Sequence, residues 1–199
     1  AIELIAFNMA IECGALSKEE FDTIKSEFYC LDTKIGQILD ESEKIKALAE
    51  KYSKSRNVFF IGRGLDYVVS KEGSLKLKEI AYLHSEAYAA GELKHGPIAM
   101  IDDETLVIAI LTQEKLFDKT LSNIKEVKAR GASVIAIAME GNNIAAGEAD
   151  DIIYIPRAMW SIAPVLAAVP AQLFAYYMAY CLGTDIDQPR NLAKSVTVE

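Results

Sequence analysis

The spacing of apolar residues divides the chain into two parts. In the first part apolar residues recur at helical spacing with charged residues between them, as over residues 35–49. Residues 1–10 have the same helical spacing, and Ser17 with Glu20 matches a capping box that predicts a helix start. The pattern therefore predicts a helical segment over residues 1–55, without a strand.

The second part contains short apolar runs that do not alternate with polar residues. They predict strands at 57–61, 105–111, 133–138 and 151–155, with a weaker strand at 85–88. Strands that are apolar throughout belong to a sheet buried on both faces, and their alternation with helices indicates parallel βαβ units. The predicted helices are 65–83 and 117–130, the second one closed by a C-cap at Gly131. We predict one doubly wound α/β domain over residues 56–184.

The apolar run 162–182 has the length of a membrane span, but its composition favours a buried core helix. Pro164 and Pro170 interrupt it, alanine and tyrosine dominate it, and no basic loop flanks it. Residues 185–199 show no sustained period and include Pro189. They predict an irregular C-terminal tail that is either frayed or tied down.

Composition and charge narrow the function classes. The chain has 21 Lys+Arg against 29 Asp+Glu, a net charge of −8, and is 51% hydrophobic. These values exclude a disordered chain and argue against general nucleic-acid or anionic-membrane binding. Three distant cysteines predict neither a disulfide framework nor a CxxC metal site, which favours a reduced, cytoplasmic protein. No signal peptide is recognisable, and a start in mid-helix without Met predicts a piece of a longer protein.

The turn after the first predicted strand is the first candidate site. In doubly wound sheets ligands bind beyond the carboxyl ends of the strands. Gly62-Arg63-Gly64 follows the first predicted strand and opens a helix, which indicates an anion site or simply a tight turn. A dinucleotide fingerprint needs a third small residue, and Tyr67 occupies that place, so we predict no nicotinamide cofactor.

Two further candidates carry titratable side chains. Lys76 and Glu79 lie three apart on the predicted helix 65–83 and share a face. Such a carboxylate can act as a general base, although an ordinary solvated surface pair explains the same spacing. His95 lies in the break formed by residues 91–97, where a loop histidine can shuttle protons or have no role. No second histidine or thiolate stands at ligand spacing, so we predict no metal.

Lys194 lies in the tail. A lysine partly desolvated by a covering segment could form a Schiff base with a carbonyl compound. Spacing alone favours an ordinary solvated lysine near a chain end.

Three motifs carry a resemblance to a known family. They are residues 75–80 (LKLKEI), residues 86–97 (EAYAAGELKHGP) and residues 183–199 (GTDIDQPRNLAKSVTVE). They resemble the glucosamine-6-phosphate synthases, the isomerising glutamine–fructose-6-phosphate aminotransferases. The resemblance implies a flavodoxin-like, three-layer sugar isomerase (SIS) domain with a mostly parallel sheet, the second of two in that family. Residues 1–55 would then lead in from the preceding SIS domain, and residues 185–199 would cover the active site.

The resemblance also implies site residues and partners. His95 matches the ring-opening histidine, which reaches across a homodimer, and Glu79 matches the base that moves a proton between C1 and C2. Lys194 matches the lysine that forms a Schiff base with the open-chain sugar, and Lys76 matches a second lysine near the reacting end. Ala193 is expected to contact substrate together with Lys194. The expected partners are fructose-6-phosphate and ammonia from glutamine, with no cofactor.

Two parts of that family's enzyme are missing from the sequence. No Ser/Thr-rich phosphate loop occurs, and the loop after Leu111 carries a carboxylate at Glu114 where a phosphate would need donors. No glutaminase nucleophile is recognisable either, so we expect this chain alone to be inactive. The alternative is a non-catalytic module that senses sugar phosphates. Such a sensor needs the phosphate loop and has no reason to carry Glu79, His95 and Lys194 together.

Overall fold

Four helices precede the first strand. The computed structural model describes residues 2–143 and 145–193, and within them these helices are α1 (Ile2–Glu12), α2 (Lys18–Tyr29), α3 (Leu31–Asp40) and α4 (Ser42–Tyr52). The predicted capping box is confirmed: Ser17 Oγ accepts from the Glu20 N–H at 3.2 Å, and Glu20 Oε2 accepts from the Ser17 N–H at 2.9 Å. The two bonds satisfy backbone donors that the first turn of α2 would otherwise leave unpaired.

A five-stranded parallel sheet forms the centre of the fold. Its strands are β1 (Asn57–Gly62), β2 (His84–Ala89), β3 (Thr105–Leu111), β4 (Ser133–Met139) and β5 (Asp151–Ile155). Their order across the sheet is β2-β1-β3-β4-β5, with Asn57 aligned to both His84 and Thr105. Every residue of β3 is buried, as the unbroken apolar runs predicted. The predicted α/β class and all five predicted strands are confirmed.

Helices cover the two faces of the sheet. The later helices are α5 (Leu65–Lys76), α6 (Phe117–Lys128) and α7 (Ala163–Leu182). Helix α7 packs against both α4 and α5, and α5 also lies on β1 and β2. Helix α6 contacts β3 and β4 and the short 3₁₀ helix Ala90–His95 that follows β2. The connection from β1 to β2 and the connection from β3 to β4 run in opposite directions across the sheet. Because crossover connections between parallel strands are right-handed, they place α5 and α6 on different faces of the sheet.

Helix α7 is the core helix that the sequence predicted. Within the described residues it is the one helix long and apolar enough to cross a membrane. Nine of its residues are nevertheless buried in the fold, including Leu166, Phe174 and Met178, and Pro170 is accommodated inside it. Its apolar surface is used to pack on α4 and α5, which accounts for the composition of this segment.

One predicted helix end is wrong, and the cap predicted for another is confirmed. The helix predicted to reach residue 83 is α-helical only to Lys76 and continues as a π-helical turn, Leu77–Ala81. Tyr82 then adopts a left-handed conformation with φ 55°, which stops the helix before β2. Helix α6 is α-helical to Lys128, two residues short of the predicted end. The predicted glycine C-cap is confirmed: Gly131 has φ 96°, its N–H donates to the Lys128 carbonyl at 2.9 Å, and the Ala132 N–H donates to the Val127 carbonyl at 3.3 Å. Helical periodicity does not register the change from an α-helix to a π-helical turn at Leu77, because this change depends on local backbone geometry.

The contact between α5 and β1 gives a stability prediction. A Cβ added at Gly73 would lie 2.5 Å from the ring of the fully buried Phe60. Gly73→Ala should therefore lower the free energy of unfolding by about 1–3 kcal/mol, because the ring cannot move without disturbing the core. Denaturant unfolding measures the change.

Gly36 in α3 provides the control, since nothing lies within 4 Å of a Cβ built there. Gly36→Ala should be neutral or stabilising by about 0.5–1 kcal/mol, because alanine favours helix. Equal effects of the two substitutions would contradict the packing argument.

Candidate functional site

The candidate residues occupy opposite edges of the sheet. Lys76 and Glu79 lie at the end of α5 and in the π turn, immediately before β2 begins at the amino edge. His95 ends the 3₁₀ helix that follows β2 at the carboxyl edge. The six residues of β2 separate the two places, which corresponds to about 20 Å at 3.3 Å per residue. The structure does not bring His95 and Glu79 of one chain together.

Lys76 and Glu79 form a close ion pair, as their spacing predicted. Lys76 Nζ lies 2.6 Å from Glu79 Oε2 and 3.9 Å from Glu72 Oε1, and Gln172 of α7 donates to Glu72 at 3.1 Å. Lys76 and Glu79 are only 31% and 25% exposed, so the pair is less solvated than a typical surface pair. The hydrogen bond to Glu79 raises the pKa of Lys76 against the opposing effect of burial. The Lys76 ammonium group therefore provides a positive charge beside the Glu79 carboxylate.

The beginning of the tail is tied to the turn that carries Glu79. Thr184 donates its hydroxyl to the Ile80 carbonyl at 2.7 Å, and the Arg190 N–H donates to the Tyr82 hydroxyl at 2.8 Å. The Arg190 guanidinium also lies 4.3 Å above the Tyr82 ring centroid. The tail was predicted to be either frayed or tied down, and these contacts show that it is tied down as far as Arg190.

The remaining predicted tail residues are placed only in part. Ala193 is exposed, and Lys194 lies outside the described residues. The tail contacts hold Thr184 and Arg190 against the turn that carries Glu79, and the role of Lys194 stays a prediction.

His95 projects from a well-anchored segment. Ala90 and Leu93 of the 3₁₀ helix are completely buried, whereas the His95 side chain is 72% exposed. His95 Nδ1 lies 2.8 Å from Glu92 Oε2, which fixes the direction of one ring nitrogen. This arrangement leaves most of the imidazole accessible to another molecule.

A buried carboxylate that sequence reasoning missed closes the carboxyl edge between β1 and β3. Asp66, 1% exposed, accepts from the Thr112 N–H at 2.9 Å, from the Gln113 N–H at 3.2 Å and from the Thr112 hydroxyl. Burial raises the pKa of Asp66 to about 6, although these hydrogen bonds oppose the shift. Its position just after the Gly62–Gly64 turn was the available signal.

Asp66 changes the interpretation of the loop after Leu111. Backbone and hydroxyl donors are present there, contrary to the prediction, but the chain's own carboxylate uses them. The Glu114 carboxylate, which stands where a phosphate would need donors, lies 3.4 Å from Arg157 Nη2. Gly62 supports the tight-turn interpretation, since a Cβ there would lie 2.5 Å from the Asp66 backbone.

A cavity also lies at the carboxyl edge. Its volume is about 640 Å³, and its lining includes Gln113, Met139 and the exposed Trp160. It is therefore remote from Lys76 and Glu79. In residues 2–143 and 145–193 no three His, Cys, Asp or Glu side chains group as metal ligands.

Comparison with known proteins identifies similar sequences and folds. The SIS domain model matches residues 51–182. The chain is 53% identical over 199 residues to a glutamine–fructose-6-phosphate aminotransferase (isomerising) of Clostridium tetani and 54% identical to that of Caldanaerobacter subterraneus. All of this chain is aligned, but it spans only about a third (33%) of the length of either relative.

Solved structures give the same result for the fold. The C-terminal domain of glucosamine-fructose-6-phosphate aminotransferase from Francisella tularensis superposes with a TM-score of 0.83 and 34% identity, covering 88% of this chain and 49% of that one. Glucosamine-6-phosphate deaminase from Thermotoga maritima gives a TM-score of 0.61 at 24% identity, covering 96% and 53% of the two chains. The second likeness is one of fold alone.

The buried carboxyl of Asp66 gives a pH prediction. Its folded-state pKa of about 6 exceeds the ordinary 3.8, so folding favours the protonated form. The resulting stabilisation is complete below about pH 4 and is lost as the pH rises through 6, by about 3 kcal/mol in total. The free energy of unfolding of the wild type minus that of Asp66→Asn should therefore fall between about pH 4 and pH 7.

Denaturant unfolding at a series of pH values measures this difference. Asp118→Asn, at an exposed position in the first turn of α6, is the matched control and should run parallel to the wild type. A difference for Asp66→Asn that rises with pH would contradict the assignment.

Proposed function

The chain belongs to the SIS domain family, and from this membership we propose that it is the C-terminal isomerase domain of an isomerising glutamine–fructose-6-phosphate aminotransferase. The observation that carries the proposal is the placement of the Lys76–Glu79 pair beside the tied-down start of the tail. The family resemblance assigns the isomerisation to these segments. The 53% identity to a curated aminotransferase supports the same assignment.

The proposed reaction needs a base, an amine and a ring-opening group. The substrate is fructose-6-phosphate, whose ring His95 opens by moving a proton at the ring oxygen. The Lys194 amine forms an imine at C2 with loss of water, and ammonia from glutamine then takes its place. The Glu79 carboxylate removes a proton from C1 and returns one to C2, which yields glucosamine-6-phosphate. Lys76 keeps a positive charge next to this base.

A second copy of the chain supplies the histidine in this proposal. Glu79 and His95 lie at opposite edges of one sheet, too far apart to act on a single sugar. His95 is largely exposed, so it can enter the site of a partner. We therefore propose a homodimer with two shared sites, each combining His95 of one copy with Glu79 and Lys194 of the other.

The phosphate and the ammonia source are assigned to other parts of the longer protein. Asp66 occupies the donors of the loop after β3, so these donors do not hold a sugar phosphate. The same observation disfavours a module that senses sugar phosphates, because a sensor must hold the phosphate itself. Exposed, unpaired Cys13 and Cys30 fit a cytoplasmic enzyme.

Hybrid dimers test the shared site. In the full-length enzyme, His95→Ala and Lys194→Ala should each lower glucosamine-6-phosphate formation by about 10²–10⁴-fold, since each removes one reacting group. Mixing the two variants with subunit exchange should restore about a quarter of wild-type activity, because half of the dimers then contain one intact site. Differently tagged subunits verify that the hybrids have formed. Absence of rescue in verified hybrids would count against the shared site.

The 199-residue chain itself tests whether phosphate binding needs another part of the longer protein. Supplied with fructose-6-phosphate and ammonia, it should form no glucosamine-6-phosphate, because its own carboxyl edge holds no phosphate. The full-length enzyme under the same conditions is the positive control. Turnover by the short chain would refute this part of the proposal.

A further inference from the structure

A hydrogen-bonded cluster joins the segment that carries His95 to helix α6. Arg63 Nε and Nη2 donate to Asn123 Oδ1 at 3.2 and 3.0 Å. Asn123 Nδ2 donates to Glu126 Oε2 at 3.1 Å, and the other oxygen of Glu126 lies 2.8 Å from Lys94 Nζ. The cluster therefore runs from the turn after β1, through α6, to the residue that precedes His95.

Burial and packing distinguish this cluster from an ordinary surface ion pair. Asn123 is only 3% exposed, and its amide bridges a cation and an anion. The Arg63 guanidinium supports the start of the 3₁₀ helix, because a Cβ added at Gly91 would lie 2.9 Å from Nη2. Burial opposes ionisation of Glu126, but hydrogen bonds from Lys94 and Asn123 outweigh it and lower its pKa.

We propose that Arg63, Asn123 and Glu126 are positioning residues that set the direction of His95 for ring opening. This inference rests on the proposed function. A 3₁₀ helix advances 120° per residue, so anchoring Lys94 determines where the next side chain points. Ala90 and Leu93 fix the inner side of the helix, and the Lys94–Glu126 contact fixes its rotation. A displacement of about 1 Å at a reacting group can cost about 10²-fold in rate.

The same helix offers a matched control pair. Lys125 of α6 lies 3.0 Å from Glu148, with side-chain exposures of 55% and 36%, against 62% and 25% for Lys94 and Glu126. The control pair has similar geometry but does not reach the His95 segment. Glu148→Gln therefore removes a comparable ion pair without the positioning effect.

The test compares two substrates in the full-length enzyme. Fructose-6-phosphate must be ring-opened, whereas 5-deoxyfructose-6-phosphate lacks the hydroxyl that closes the ring and enters as the open chain. Glu126→Gln should lower kcat for fructose-6-phosphate about tenfold and leave kcat for the open-chain analogue within about twofold, since only ring opening needs His95. Glu148→Gln should change neither value.

Two further variants distinguish the loss of the Lys94–Glu126 ion pair from a folding defect caused by Glu126→Gln. Lys94→Met removes the same ion pair from its exposed side and should reproduce the substrate difference. The charge reversal Lys94→Glu with Glu126→Lys should restore part of the lost kcat.

Equal losses with both substrates would show a merely structural role and overturn the inference. Glu126→Gln behaving like Glu148→Gln would overturn it as well. Failure of the proposed function has a different signature, since His95→Ala itself would then retain full turnover of fructose-6-phosphate.

Discussion

The common direction of the five strands is the constraint on which the rest of this structure depends. Because β1 and β2 are parallel, the chain between them must return from the carboxyl to the amino edge. Helix α5 makes this return and delivers Lys76 and Glu79 to the amino edge, and β2 then carries the chain forward to His95. Helix α7 makes a second return and brings the tail to the same edge as Glu79. The separation of Glu79 from His95 thus follows from the topology.

At the carboxyl edge of the sheet, where ligands usually bind in this class of fold, a side chain of the protein itself takes the hydrogen-bond donors. Doubly wound sheets bind ligands where neighbouring connections diverge, here between β1 and β3. In this chain the Asp66 carboxylate takes the Thr112 and Gln113 donors at that place. The result is a closed turn whose cost is the burial of a carboxyl group. The candidate chemistry is consequently found in the turn before β2 and on the segment after it.

The strands of the sheet were predicted well because each one is recognisable from the apolar run of its own residues. Strand β3 matched its prediction at both ends, since charged residues precede it and polar residues follow it. The Lys76–Glu79 pair was likewise predictable, because residues three apart on a helix share a face. The last turn before β2 was predicted wrongly, because the left-handed conformation of Tyr82 has no signature in the spacing of apolar residues.

The contacts that assemble the candidate site could not be predicted in this way. Asp66 meets the loop after β3 across 46 positions, Arg63 meets Asn123 across 60, and Thr184 meets Ile80 across 104. Such pairs form only after the sheet order and the packing of α5, α6 and α7 are established. Residue types alone left a proton-shuttle role for His95 open and favoured no role for Lys194, and the specific ring-opening and Schiff-base roles came from the family resemblance.

The net charge of the chain agrees with the proposal that another part of a longer protein binds the phosphate. A chain of charge −8 repels a sugar phosphate at long range, so an open anion site on this domain would work against its own field. Under the proposed function, Asp66 fills those donors and the domain presents groups that act on the uncharged end of a sugar whose phosphate is held elsewhere. An acidic balance is therefore compatible with the proposed role in sugar-phosphate chemistry, in which another part of a longer protein holds the phosphate.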